Sequence, residues 1–323
     1  AIAAMLPRYG VTAFCPTTVA CSADALKTVL DEVRALRAAP QHGCARVLPA
    51  HLESNFINQD FKGAQPLECL RMPPAKRTLD IGRWTTDDDV LQTIQAALPD
   101  VGIMTVAPEL ANGMDLVRAL TAAGIIVSLG HSGADYETSL AAIAAGARQA
   151  THLFNRMTPM TSRDPGMVGA VLSSDDVCAE IICDGRHVHP AVMRVAMAAK
   201  SPARIMAITD GTAGSGLPRG STATLGGRRI TVEDVARLDD GTMAGSVLTM
   251  DRAFACLVGQ AGAGLVDGAR MCSTSPAREL GLQGHGVLGA GAVADLAVLD
   301  ANLNVRQTWI GGEPVFDGLS LRP

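Results

Sequence analysis

The chain has 323 residues, 48% of them hydrophobic, with a formal charge of −5 and a mean hydropathy of +0.21. That is ample material for the core of one large domain, or of a domain with a small appendage. Basic residues are nowhere concentrated, aromatics make up only 3%, and no apolar run approaches the ~20 residues of a membrane span, so neither a nucleic-acid nor a membrane partner is expected.

In chain order, short apolar runs alternate with amphipathic stretches. VTAFCPT (11–17) comes first. Ser22 then precedes Leu26, Val29, Leu30, Val33 and Leu36, which predicts an N-capped helix with a 3.6-residue apolar face. RVLPAHLE (46–53), VGIMTVAP (101–108) and IIVSLGHS (125–132) suit buried parallel strands. YETSLAAIAAGA predicts a short helix closed by glycine. QATHLFN (149–155), CAEIICDGRH (178–187) and RIMAITDG (204–211) complete seven runs. Seven strand–helix units predict an α/β fold, a (β/α)₈ TIM-like barrel with its first strand unaccounted for. A doubly wound sheet is the alternative, but no GxGxxG or P-loop follows any strand.

After the helical TMDRAFACLVGQAGAG, the segment from GVLGAGAVADLAVLD to GEPVF reads as a few antiparallel strands separated by Gly, Asp and Asn. Two or three strands cannot bury a core alone. The expected division is therefore a barrel over 1–283 and part of a small β-sandwich over 284–323. The missing barrel strand and the thin sheet predict that the chain starts inside the fold, and AIAAML forms no recognisable signal peptide. The eight cysteines lack CxxC pairing, which reads as reduced thiols in a cytoplasmic protein.

Barrel enzymes keep their chemistry at the C-terminal strand ends. Those ends here carry His51 and Glu53, His131, His152, Asp184 to His189, and Asp210. One such histidine is ordinarily a satisfied hydrogen-bonding residue, but Glu, His, His and Asp at four separate ends point to a metal site. Imidazole and carboxylate donors without thiolate suit Zn²⁺ first, with Fe²⁺, Mn²⁺ or Co²⁺ as alternatives. Asp210 is the candidate base for a metal-activated water, its plainer reading being a helix N-cap. In HVHP, His187 reads as a site residue, whereas Pro190 draws His189 into the next segment.

The ordered blocks HLESNFINQDFKGAQP, APE (107–109), GHSGADYE, THLFNRMTPMTSRDPG, DGRHVHP, TDG, GTMAGSVLTM and GVLGAGAVADLAVLD resemble the N-acetylglucosamine-6-phosphate deacetylase family of the amidohydrolase superfamily. The resemblance spans essentially the whole chain. It implies hydrolysis of the acetamide of an amino-sugar phosphate, with Glu53, His131 and His152 as metal ligands and Asp210 as catalytic base. It further implies that His187 contacts the substrate and that Asn155, the backbone after it and Arg163 hold the 6-phosphate. Ser246, in the GTMAGSVLTM block, is expected beside the substrate too. A homodimer is expected, because Arg163 can serve the partner subunit's site in such enzymes. His51 is given no ligand role.

Three departures stand out. Ser54-Asn55 replaces the usual Gly-Pro, Gln65 stands where many members have a substrate-contacting His, and Arg156 replaces a small residue. Gln65 can donate a hydrogen bond but carries no charge, and Arg156 would either add a phosphate contact or crowd the site. Another amidohydrolase reaction, on N-acetylgalactosamine 6-phosphate or a different N-acyl compound, and a non-catalytic sugar-phosphate-binding remnant are the rival readings.

Overall fold

Proline splits the first two predicted strands. In a computed structural model describing residues 1–75, 79–80 and 83–318, VTAFCPT becomes β1 (Ala13–Phe14) and β2 (Thr17–Thr18), parted at Pro16. RVLPAHLE likewise becomes β3 (Arg46–Val47) and β4 (Ala50–Glu53), parted at Pro49. A proline has no N–H to give to a ladder. The halves still pair in parallel, β1 with β3 and β2 with β4.

A small hairpin, β5 (Leu79–Asp80) and β6 (Arg83–Trp84), follows. The sheet then continues through β7 (Val101–Val106), β8 (Ile126–Leu129), β9 (Gln149–Ala150), β10 (Cys178–Ile182) and β11 (Ile205–Ile208). The order β11-β10-β9-β8-β7-β4-β2 is parallel throughout, forming the wall of a TIM-like barrel. The QATHLFN run is strand only at its first two residues, because positive φ at His152 and Phe154 turns the chain out of the sheet.

Helices fill the crossovers. Helix α1 (Ile2–Met5) opens the chain, and α2 (Ala23–Ala38) begins at Ser22, whose Oγ accepts from Ala25 N. Its buried stripe is Leu26, Leu30 and Val33, while Val29 is exposed, so the apolar face is narrower than the spacing predicts. Each fully buried side chain of this kind contributes roughly 1.5–3 kcal/mol. Helices α3 (Asp89–Ala97), α4 (Gly113–Ala122), α5 (Tyr136–Ala144), α6 (Gly166–Ser173) and α7 (Pro190–Lys200) repeat the pattern, with Asp88 capping α3 and Asp135 capping α5. Their inner faces join the strands in one core that includes Phe56, Leu52, Met104, Leu129 and Met167.

Between β11 and α8 (Met250–Gly259) lies an element the sequence reading did not assign. It is an antiparallel sheet of β12 (Thr222–Leu225), β13 (Arg228–Val232) and β14 (Ala236–Leu238). Its first hairpin turns at Gly226-Gly227, both at positive φ, as a primed turn requires. After α8, strands β15 (Leu296–Leu299), β16 (Val305–Ile310) and β17 (Glu313–Asp317) form the antiparallel sheet predicted near the C-terminus. It is pinned to the N-terminal region by Thr308, whose hydroxyl donates to the Pro7 carbonyl, and by the Arg46–Asp295 ion pair. Residues 319–323 of the predicted C-terminal segment lie outside the described residues. Among the described residues no helix is long and apolar enough to cross a membrane, and all eight cysteines are unpaired.

Candidate metal centre and active-site cavity

The strand ends converge. Glu53 closes β4, His131 follows β8, His152 follows β9, and Asp210 follows β11. His131, His152 and Asp210 all adopt positive φ, at 48°, 30° and 48°. For non-glycine residues this is an uncommon conformation that tends to gather at functional sites.

Glu53 Oε1 lies 2.9 Å from the Nε2 of His131 and 2.9 Å from that of His152. The two Nε2 atoms are 3.0 Å apart and the rings stand edge to face. His131 Nδ1–H donates to the Phe61 carbonyl at 2.7 Å, which leaves an Nε2 lone pair facing the carboxylate. His152 Nδ1 is buried without a partner. Three electron-rich atoms packed this closely, on nearly buried side chains, need positive charge between them. The residues fit a divalent cation: two neutral imidazoles and a carboxylate make a three-ligand set that leaves a coordination position for water.

Burial alone would lower His152, but the hydrogen bond and charge of Glu53 outweigh it and raise its pKa to about 9. The same pairing, acting against burial, holds the Glu53 carboxyl well below the usual range. Burial, with the Glu53 charge second, pushes the Asp210 carboxyl up.

A cavity of about 120 Å³ opens over this cluster, lined also by Gln65, Asn155, Arg156, His187 and Asp210. His187 Nδ1 lies 2.6 Å from Asp184 Oδ2, while Asp184 Oδ1 accepts from the backbone N–H groups of Arg186 and His187 at 2.8 Å. His189 is exposed and caps α7, its Nδ1 accepting from Ala191 N. His51 is buried against the Thr105 hydroxyl at 2.9 Å, its pKa lowered to about 4 by burial, and it does not line the cavity. No helix follows Asp210, so its N-cap reading falls away.

Two residues expected at the substrate do not line this chain's cavity. Arg163 is exposed on the 158–165 loop, outside the cavity lining. Ser246 is fully buried. Its hydroxyl donates to the Thr209 carbonyl and its backbone N–H to the Asp210 carbonyl at 2.8 Å, so it braces the segment that carries Asp210. Gln65 lines the cavity with its amide already committed: Nε2 donates to Glu53, and Oε1 accepts from Ala20 N at 2.8 Å.

Two carboxylates are given no role by the sequence. Glu109 accepts from Ser132 Oγ, Gly133 N and Asn58 Nδ2 at 2.6–2.9 Å and fastens the segment carrying His131 to the loop after β4. Glu180 is buried in mid-strand behind His152, and burial pushes it up to about 7. The unusual EI within CAEIIC was the available signal for it.

A parallel (β/α) barrel whose strand ends bring two imidazoles and a carboxylate together beneath one cavity defines a metal-dependent hydrolase of the barrel class. The chain belongs to the amidohydrolase family, whose profile matches residues 6–315. It is 38% identical over 331 residues to N-acetylglucosamine-6-phosphate deacetylase from Bos taurus, a match covering 100% of this chain and 77% of that one. The structure of the Mycobacterium smegmatis N-acetyl-D-glucosamine-6-phosphate deacetylase in complex with N-acetyl-D-glucosamine-6-phosphate superposes with a TM-score of 0.86 at 32% identity, covering 97% of this chain and 78% of that one. The Thermotoga maritima enzyme gives 0.84 at 32% identity, covering 98% and 82%.

Proposed function

We propose that the protein hydrolyses the acetamide of N-acetylglucosamine 6-phosphate to acetate and glucosamine 6-phosphate, a step of amino-sugar catabolism. The observation that carries this reading is the meeting of Glu53, His131 and His152 with Asp210 and His187 on one cavity. Zn²⁺ suits that donor set best, with Fe²⁺, Mn²⁺ and Co²⁺ as its competitors. Bound there, such an ion would polarise the amide carbonyl and lower the pKa of a water molecule.

The chain's own groups do the rest. Asp210, a carboxyl raised by burial, accepts the proton of the attacking water and passes it to the departing amine. His187 lines the cavity where the reacting amide would lie, and Asp184, accepting from its Nδ1–H, fixes the ring from behind. Gln65 holds Glu53 in place. Asn155, which lines the cavity, and the backbone after it would hold the 6-phosphate.

The reading keeps the division between 1–283 and 284–323, with every site residue in the first part. It also keeps a homodimer, for which the exposed Arg163 is available. Eight unpaired thiols support a reducing, cytoplasmic setting.

The test compares acetate release from N-acetylglucosamine 6-phosphate, its galacto epimer and unphosphorylated N-acetylglucosamine. Preference for the gluco 6-phosphate is expected. Equal turnover of the unphosphorylated sugar, or turnover of none of the three, would contradict the reading.

A further inference from the structure

We propose that Arg156 adds a selecting contact to the substrate's phosphate, through a guanidinium supplied by the same chain as the metal centre. This rests on the deacetylase reading above and assigns the origin of its preference for a phosphorylated sugar.

The cavity lining includes two carboxylates, Glu53 and Asp210, and among its described side chains Arg156 is the only Lys or Arg. Glu53 would be balanced by the cation it helps to hold, but a phosphate dianion at the other end of the cavity still needs a positive group of its own. The neighbouring cations are otherwise occupied or misplaced. Lys62 Nζ is turned to the carbonyls of Gly63 and Gln65 at 3.3 and 3.5 Å, and Arg228 donates to the Ala64 carbonyl. Arg163 lies outside the lining. Among the described residues, the Arg156 guanidinium has neither an ion pair nor a hydrogen bond.

The backbone supports the same end of the cavity. Positive φ at His152, Phe154 and Arg156 (30°, 78° and 50°) alternates with the ordinary sign at Leu153 and Asn155. Leu153 N donates to the Glu180 carbonyl and Asn155 N to the His152 carbonyl at 2.8 and 3.0 Å, so the alternate N–H groups are the ones left for an anion. The N–H groups of Phe154 and Arg156 have no acceptor among the described residues. Opposite them, Gly63 makes room for the arginine: a Cβ there would come within 3.0 Å of Arg156 Nε. The planar fork that results can grip two phosphate oxygens at once, which an ammonium cannot.

The experiment measures kcat and KM for N-acetylglucosamine 6-phosphate and for N-acetylglucosamine with wild type, Arg156→Ala and Arg156→Lys. Calorimetry with glucosamine 6-phosphate is run alongside, so that binding is read even without turnover. A lost charge-assisted contact of this kind predicts a KM and a Kd for the phosphorylated compounds raised roughly 10- to 100-fold in Arg156→Ala. Its kcat should stay within about threefold and its KM for the unphosphorylated sugar should not move, since only uniform binding is removed. Arg156→Lys falls between. The proposal is overturned if Arg156→Ala binds glucosamine 6-phosphate as wild type does, or loses both sugars equally. A wild type that binds glucosamine 6-phosphate but turns over neither sugar would refute the deacetylase reading alone.

Discussion

Glu53→Gln tests whether one carboxylate holds the centre together, because it removes the charge and keeps the shape. Glu53 Oε1 contacts both imidazoles at 2.9 Å. Burial by itself would depress His152, yet its pKa rises from 6.5 to about 9 through Glu53. At 1.36 kcal/mol per unit, that pairing contributes roughly 3 kcal/mol, counted once although both partners shift. The folded-state pKa is raised, so the contribution is complete below about pH 6.5, falls as the pH climbs, and is gone above about 9. With an m-value of about 3 kcal/mol/M, the urea midpoint of the metal-free protein should drop by about 1 M across that window. Glu180, pushed up to about 7, adds a separate fall between about pH 4.5 and 7, so the readout is the difference between wild type and variant. Glu53→Gln should weaken the fold at pH 6 by on the order of 3 kcal/mol and lose the slope between pH 7 and 9. The assay is urea unfolding followed by circular dichroism on chelator-dialysed protein. A wild-type midpoint that is flat from pH 7 to 9, or a variant that keeps the slope, would refute this account of Glu53.

Asp210→Asn should lower kcat by roughly 10²- to 10⁴-fold with bound metal unchanged, checked by steady-state kinetics together with metal analysis; near-normal turnover would remove Asp210 from its role. Asp184→Asn leaves His187 without its anionic partner, so kcat should fall about tenfold or more while KM barely moves, measured across a pH series. Phe56→Ala, at a position with no solvent exposure, should cost about 3–5 kcal/mol in chemical denaturation without changing the ligand set.

Much of this was legible because buried parallel strands end abruptly in polar residues. Glu53, His131, His152 and Asp210 are marked by the apolar runs before them, and those runs also report the barrel. What stayed hidden depends on partners far away in sequence. Nothing local says that Gln65 spends its amide on Glu53 and Ala20, that Ser246 faces Thr209, or that Glu109 reaches Gly133. Nor does anything local in the sequence say that Arg156 lines this chain's cavity while Arg163 does not. The β12–β14 sheet was missed although Gly226-Gly227 between TATL and RRITV is a hairpin signal. Its strands are short and largely half-exposed, which leaves little apolar contrast to read.

The central claim is that the chemistry depends on a cation held by Glu53, His131 and His152. The most direct measurement is turnover of N-acetylglucosamine 6-phosphate by chelator-treated protein as Zn²⁺ is added back. The account predicts negligible turnover without metal, recovery that saturates as the site fills, and no recovery in Glu53→Gln. Full turnover after verified metal removal, or equal recovery in that variant, would contradict it.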